Sequence, residues 1–412
     1  MCFTAYFKAM RTLAFFLSAL ALLVSCTPKP VELKTGTWRG IIEMQNQQLP
    51  FQFDVQKKDS ALQVYIRNGS ERLLLDEVSV TGDSVTMALH VFDASLKAKI
   101  EGNQLKGTFV KNYAPDASLP FSATFGDDFR FTNEKTAAVD FTGKYQVTFF
   151  TEKDTTISVG IFEQHANNVT GTFLTTTGDY RYLEGNVVGN ELKLSTFDGN
   201  HAFLFTAKKT GDTLRGDYFA GKSGHESWIG IKNDNASMPD SESLTFLKPG
   251  FEKLDFSFPD LNGNKISSTD ERFRNKVTIL QIFGTWCPNC MDETKFLKDW
   301  YTQNKDRGVE IIGLAYERKD DFDYASGQVK KMKAKWSVGY DFVIAGVNDK
   351  AKASETLPAL NRVLAFPTTI FIGKDGKVKH IHTGFSGPGT GIYFDQFKER
   401  FNGIVNELLN EK

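Results

Sequence analysis

From Thr37 to about Phe125, apolar and polar side chains alternate in short runs: "LPFQFDVQ", "ALQVYIR", "SVTMALHVF" and "QLKGTFV". A period of two is that of a strand with one face buried and the other wet. Turn signals such as "NGS" and "TGDS" separate the runs. A second stretch, Phe141 to Ile231, has the same texture, with "GKYQVTFF", "SVGIFEQ", "VTGTFLTT", "ELKLSTF", "AFLFTAKK" and "TLRGDYF". From Phe251 the pattern changes. "VTILQIF" and "VEIIGLA" are unbroken apolar runs, as strands covered on both faces require. "MDETKFLKDWYTQN" brings Phe296, Leu297, Trp300 and Tyr301 onto one helical face. A charged, helix-like stretch runs from Asp321 to Trp336, and "TTIFI" and "KVKHIHTG" pair around the turn "GKDG". The closing "YFDQFKERFNGIVNELL" aligns Phe394, Phe397, Phe401, Ile404, Val405 and Leu408. Strands alternating with helices predict an α/β sheet covered on both sides.

The two all-β stretches read as an internal duplication. "GTWRG" at Gly36 answers "GKYQV" at Gly143, "TGDSVTMALHVFD" at Thr81 answers "VGNELKLSTFD" at Val188, and "QLKGTF" at Gln104 answers "TLRGDY" at Thr213. An offset of about 107 residues is too long for a solenoid repeat. It predicts two similar antiparallel β modules, each a small barrel or sandwich. The chain therefore divides into a leader at 1–25, β modules at 31–126 and 139–233, a polar linker at 234–250, and an α/β domain at 251–412. A second linker, "GDDFRFTNEKTAA", separates the modules.

Length and charge bound the function. A chain of 412 residues exceeds one ordinary core. With 36 Phe and 34 Gly, its composition favours strands and turns. Forty-nine basic residues against 50 acidic leave no basic excess, which argues against a nucleic-acid partner. At the N-terminus, Lys8 and Arg11 precede the apolar run "LAFFLSALALLV", which has signal-peptide length and is too short to span a bilayer. Met10 offers an alternative start. "LVSC", ending at Cys26, resembles the lipobox of bacterial lipoproteins. That resemblance implies cleavage before Cys26, lipid on its sulfur and amino group, and a place on the periplasmic side of the cell envelope. Thr27 leaves inner and outer membrane open.

Cys2 leaves with the leader and Cys26 is taken by lipid, so Cys287 and Cys290 are the thiols of the mature chain. Outside the cytoplasm such an isolated pair is more often a tool than a staple. Three uses compete. Zinc requires two more ligands; His380 and His382 share one side of a strand, but they also read as ordinary strand residues. A static disulfide across two residues closes a loop too small to constrain the unfolded chain much. Reversible electron transfer fits the placement of "WCPNC" after a buried strand and at a helix start. There, unpaired N–H groups and the helix dipole lower a thiol pKa from about 8.5. Cys287 is then the nucleophile and Cys290 the resolving thiol. Pro288 suits the first turn, where an N–H has no partner.

From Phe251 to Lys412 the chain resembles the TlpA/ResA type of thioredoxin-fold, membrane-tethered thiol–disulfide oxidoreductase. The resemblance rests on "FSFPDLNGNKIS", "ILQIFGTWCPNC", "AFPTTIFIGKDGKV" and "HTGF". It implies that Trp286 flanks the nucleophile and shields the thiol pair. It places a partly buried carboxylate at Glu293, which exchanges a proton with Cys290. It makes Pro367 a cis-proline opposite the cysteines, exposing the backbone of Phe366 to a substrate strand and keeping metals away. It implies protein thiols and disulfides as substrates, no cofactor beyond the Cys287–Cys290 couple, and a membrane electron donor for a reductant. The chain departs from the family in carrying Gln281 where Asn is common. It also has a long insertion around Asp321 to Leu360, and β modules outside the match.

Two other motifs compete for attention. "GDYFAGKS" fits the phosphate-loop spacing, but it joins two apparent strands with no helix to receive a phosphate. "GFSGPGTG" reads as a loop that sets the direction of the last helix. An alternative function remains: a lipoprotein whose β modules bind a protein partner or a glycan, with redox chemistry secondary.

Overall fold

A computed structural model describes residues 32–411 apart from residue 76; the leader and Cys26 lie outside the described residues. The first sheet is built from β1 (Gly36–Met44), β2 (Gln47–Lys58), β3 (Ala61–Asn68), β4 (Glu71–Leu75), β5 (Val78–Thr81), β6 (Ser84–Leu89), β7 (Ala94–Glu101), β8 (Gln104–Lys111) and β9 (Leu119–Phe125). Neighbours in sequence pair antiparallel except β4 and β5, which are the two edges, and β1 also pairs with β9. The alternation read in the sequence is the alternation of burial: in β1, Trp38, Gly40, Ile42 and Met44 face inward.

The second sheet repeats this plan with β10 (Gly143–Phe150), β11 (Thr155–His165), β12 (Asn168–Thr175), β13 (Gly178–Asp179), β14 (Leu183–Val188), β15 (Glu191–Phe197), β16 (Ala202–Thr210), β17 (Thr213–Ala220) and β18 (Gly224–Lys232). β10 lies between β11 and β18 as β1 lies between β2 and β9. Here β12 pairs with both β11 and β14, so this sheet closes into a barrel. The matched sequence segments fall on matched strands: "QLKGTF" on β8 and "TLRGDY" on β17. The barrel interior is aromatic, with Phe173 in ring contact with Phe149, Phe205 and Trp228. Burying each such side chain contributes about 1.5–3 kcal/mol.

The modules are joined more tightly than the sequence predicts. Phe197, Ala202 and Leu204 of the second module belong to the core of the first. The stretch between them, read as a linker, carries Arg130, which is 2% exposed. Its guanidinium donates to the Arg67 carbonyl (2.6 Å), the Ser195 carbonyl (2.8 Å) and Gln52 Oε1 (3.0 Å), and pairs with Glu184 at 3.1 Å. A buried guanidinium with that many partners is a bolt through both sheets.

The α/β domain begins with a hairpin of β19 (Ser257–Pro259) and β20 (Lys265–Ser267). It continues with β21 (Val277–Phe283), α1 (Pro288–Asn304), β22 (Val309–Glu317), α2 (Phe322–Trp336), β23 (Asp341–Val347), α3 (Lys350–Thr356), β24 (Thr368–Ile372), β25 (Val378–Thr383) and α4 (Ile392–Asn410). The sheet order is β23-β22-β21-β24-β25, with β21, β22 and β23 parallel and the other pairings antiparallel. Every residue of β21 and β22 is buried, as their unbroken apolar runs require. The long span between Cys287 and Pro367 is occupied by ordered structure: β22, α2, β23 and α3. The polar stretch at 234–250 is not free either. Glu242 binds His380 and Arg400 at 2.9 and 2.6 Å, Ser241 meets His382 at 3.0 Å, and Leu247 bridges to Leu360.

Candidate active site

β21 ends at Phe283 and the chain turns through Gly284, Thr285 and Trp286 into α1. Gly284 is required there: a Cβ would run into the Trp286 indole and come within 2.6 Å of the Tyr316 carbonyl oxygen. Cys287 is the N-cap residue of α1, with extended backbone (φ −101°, ψ 110°). Its sulfur accepts the Cys290 N–H at 3.1 Å. Pro288 opens the helix, where its missing N–H leaves nothing unpaired. The two cysteines are joined as a disulfide, Cα to Cα 5.2 Å. Cys287 is 6% exposed and Cys290 not at all. The outer sulfur is thus the one at the positive helix end, the placement that favours a thiolate.

Opposite this pair the Phe366–Pro367 peptide bond is cis. The Phe366 carbonyl oxygen lies 3.4 Å from Cys287 Sγ. Trp286 leans on this strand end, its ring edge-on to Phe366 at 5.5 Å and its N–H donating to the Tyr316 carbonyl at 2.8 Å.

Behind the disulfide, Glu293 is wholly enclosed, not partly buried as the resemblance implied, because α1 seats it between Gln281 of β21 and Thr369 of β24. Burial pushes its carboxyl up to about 7, against hydrogen bonds from the Thr369 hydroxyl (2.6 Å) and the Gln281 amide (2.9 Å) that favour the charge. Gln281, the departure from the family pattern, is long enough to reach Glu293 and Thr294 with its amide nitrogen while its oxygen accepts from Tyr340 at 3.3 Å. A second buried carboxylate escaped the sequence reading. Glu317, at the end of β22, accepts the Thr285 N–H at 2.7 Å and its hydroxyl at 2.9 Å, and burial raises it likewise to about 7. Its only signal was an acid closing an apolar strand.

The β modules reach this site, which no motif announced. The Asn289 amide donates to the Asp179 carbonyl at 3.0 Å. The Asp179 carboxylate accepts the Gly387 N–H at 2.7 Å. Arg181, 6% exposed, extends its guanidinium to the Pro288 carbonyl (3.0 Å) and to Asp292 (2.5 Å), and pairs with Glu71 of the first module and, at 3.7 Å, with Asp198. Burial opposes its charge, but Asp292, Glu71 and Asp198 together outweigh that, and the pKa rises above the ordinary arginine value. The loop "GFSGPGTG" lies against this same segment. At Gly389 a Cβ would stand 2.8 Å from the Arg181 backbone, so the glycine serves module docking as well as the course of α4.

The remaining sequence candidates fall as follows. His380 and His382 lie on β25 against Glu242 and Ser241. "GDYFAGKS" spans the end of β17 and the turn that leads into β18, without a helix. Among the described residues no helix is long and apolar enough to cross a membrane, and no group of three or more His, Cys, Asp or Glu is placed to hold a metal ion.

The Redoxin family matches residues 237–394. The thiol–disulfide oxidoreductase ResA of Bacillus thuringiensis subsp. konkukian is 35% identical over 133 residues, covering 32% of this chain and 68% of the relative. ResA of Bacillus subtilis is 27% identical over 156 residues, 38% of this chain and 77% of the relative. A crystal structure of a thiol:disulfide interchange protein of the thioredoxin family from Chlorobium tepidum covers 39% of this chain and 96% of its own, with 20% identity and a TM-score of 0.30.

Proposed function

Because the chain belongs to the ResA-type family of thiol–disulfide oxidoreductases, we propose that it works as a reductant of protein disulfides, held at the cell envelope by lipid on Cys26. The observation that carries this reading is the Cys287–Cys290 disulfide at the start of α1, its outer sulfur 3.4 Å from the carbonyl of the cis-peptide residue Phe366.

In the reduced enzyme the Cys287 thiolate attacks one sulfur of a substrate disulfide. A mixed disulfide forms and the other substrate sulfur leaves as thiolate. The substrate strand lies along the Phe366 backbone, with Trp286 and Pro288 flanking the thiol. Cys290 then loses its proton to Glu293 and attacks Cys287 Sγ. The second substrate thiol is released and Cys287–Cys290 is left oxidised. A carboxyl with a pKa of about 7 can take and return that proton near neutral pH. Two electrons from a membrane dithiol donor restore the pair, which is itself the redox group.

The test is the reduction potential of the couple in the full chain, read by equilibration with thiol buffers. A value near or below about −250 mV supports a reductant fed by a membrane donor, while one near about −120 mV makes the protein an oxidant. A Cys290→Ser variant should trap substrates on Cys287; a variant that traps none in its own envelope would remove the reading.

A further inference from the structure

The rim of the redox site carries two cations contributed by different domains. Arg318 follows β22 in the α/β domain, and Lys111 ends β8 of the first module. Between them stands Tyr113: the Arg318 guanidinium is 3.7 Å and the Lys111 ammonium 6.0 Å from its ring centroid. Arg318 also lies 5.7 Å from the Trp286 ring and donates to Asn200 Oδ1 of the second module at 2.8 Å. Trp286 packs on Phe366, whose carbonyl touches the Cys287 sulfur. A continuous line of contacts therefore runs from the nucleophile to the two cations.

The nearby carboxylates are engaged elsewhere. Asp93 accepts the Tyr324 hydroxyl, Asp198 pairs with Arg181 and His201, and Glu317 takes both Thr285 donors. Among the described residues neither Lys111 nor Arg318 has a carboxylate within ion-pair distance. Burial lowers the pKa of each, and Arg318 lowers that of Lys111 further. An incoming anion would relieve both costs.

We propose that Lys111 and Arg318 form a subsite that favours disulfide substrates with an acidic residue beside the attacked cysteine. The inference rests on the reading of Cys287 as nucleophile. Strand residues advance about 3.3 Å each. A substrate strand laid along Phe366 thus brings a side chain one or two positions from its cysteine past Trp286 to Arg318. The β modules then take part in substrate choice as a wall of the site, and need no separate binding function to explain their presence there.

The test uses the reduced full-length protein and a fluorogenic peptide disulfide whose cysteine is flanked by Glu, Gln or Lys. Reduction consumes the Cys287–Cys290 dithiol and releases two peptide thiols. The expected order of rates is Glu, Gln, Lys, with about tenfold between the extremes, the size of one charge-assisted hydrogen bond, and narrowing as salt rises. Lys111→Glu and Arg318→Glu should each invert that order, which a merely structural disturbance would not do. Lys111→Gln, which removes the charge and keeps a polar side chain, should flatten it and serves if charge reversal prevents folding. An order that is absent in the native protein, or unchanged in the variants, overturns the subsite. If the native protein reduces none of the three peptides, the reductant reading itself fails and the subsite falls with it.

Discussion

Replacing Arg181 by Met tests how firmly the β modules are bound to α1. Met keeps an unbranched stem and the Cβ, so the left-handed backbone at this residue (φ 58°) costs the same in both proteins. What is lost is a cation among three carboxylates, Glu71, Asp198 and Asp292, whose side chains are 10%, 2% and 8% exposed. His201 remains on Asp198 at 3.1 Å and Lys295 on Asp292 at 3.4 Å, so two of the three keep a weaker partner. Breaking a buried pair on one side typically costs about 3–5 kcal/mol. The Pro288 carbonyl also loses the Arg181 donor. Against a total stability of about 5–15 kcal/mol for a domain, that is a large fraction. The assay is urea unfolding of the full chain, followed by tryptophan fluorescence and circular dichroism. The native protein should unfold with the two probes together. The variant should lose about 3–5 kcal/mol and release the α/β domain from the modules as a separate transition. Arg181→Met with Asp292→Asn should recover part of the loss, because one stranded charge is gone. A loss below about 1 kcal/mol, with the probes still coincident, would refute the claim that this arginine ties the modules to α1.

Other outcomes follow from the same geometry. Glu293→Gln should leave attack by Cys287 largely intact but slow resolution by about a hundredfold or more, so that a mixed disulfide accumulates in acid-quenched samples; unchanged resolution would exclude proton transfer through Glu293. Glu293 and Glu317 are both raised from 4.5 to about 7. The folded protein therefore holds protons that the unfolded chain releases. Their contribution is full below about pH 4.5 and is lost as pH rises through about 7, about 3 kcal/mol for each; denaturant titrations across that range should show the fall, and Glu293→Gln should remove about half of it. Gly389→Ala should cost about 1–3 kcal/mol by pressing a methyl on the Arg181 backbone, measured as a lower unfolding midpoint; a neutral result would mean the loop can shift away.

Much of this was written in the chain. Period-two runs marked the strands of both modules, unbroken runs marked β21 and β22, and a cysteine pair after one of those runs pointed to the candidate site, where the two sulfurs do meet as a disulfide. Those signals are local, and a pattern within ten residues carries them. What could not be read is the tertiary use of polar residues. Arg130 stands in a polar stretch and looks like a solvated linker residue until two sheets close over it. Arg181 and Asp292 meet across 111 positions, and neither has a periodicity to betray it. Tyr113 and Asn200 are ordinary turn residues in their own modules and acquire meaning only beside Arg318. Glu317 ends a strand whose apolar pattern argues for burial but says nothing of the Thr285 groups that satisfy it.

Val91 and Phe92, on the short turn between β6 and β7, belong to the hydrophobic core of the α/β domain although they come from the first module. They act as a stopper. A protein cut at residue 250 would leave an open apolar dent beside α1 and α2, with Met291 and Trp336 at its margin. Such an excised domain would be stickier than the full chain. Its redox behaviour would describe an unplugged surface. For the same reason, grafting these modules onto another enzyme of the family would require carving the matching socket first.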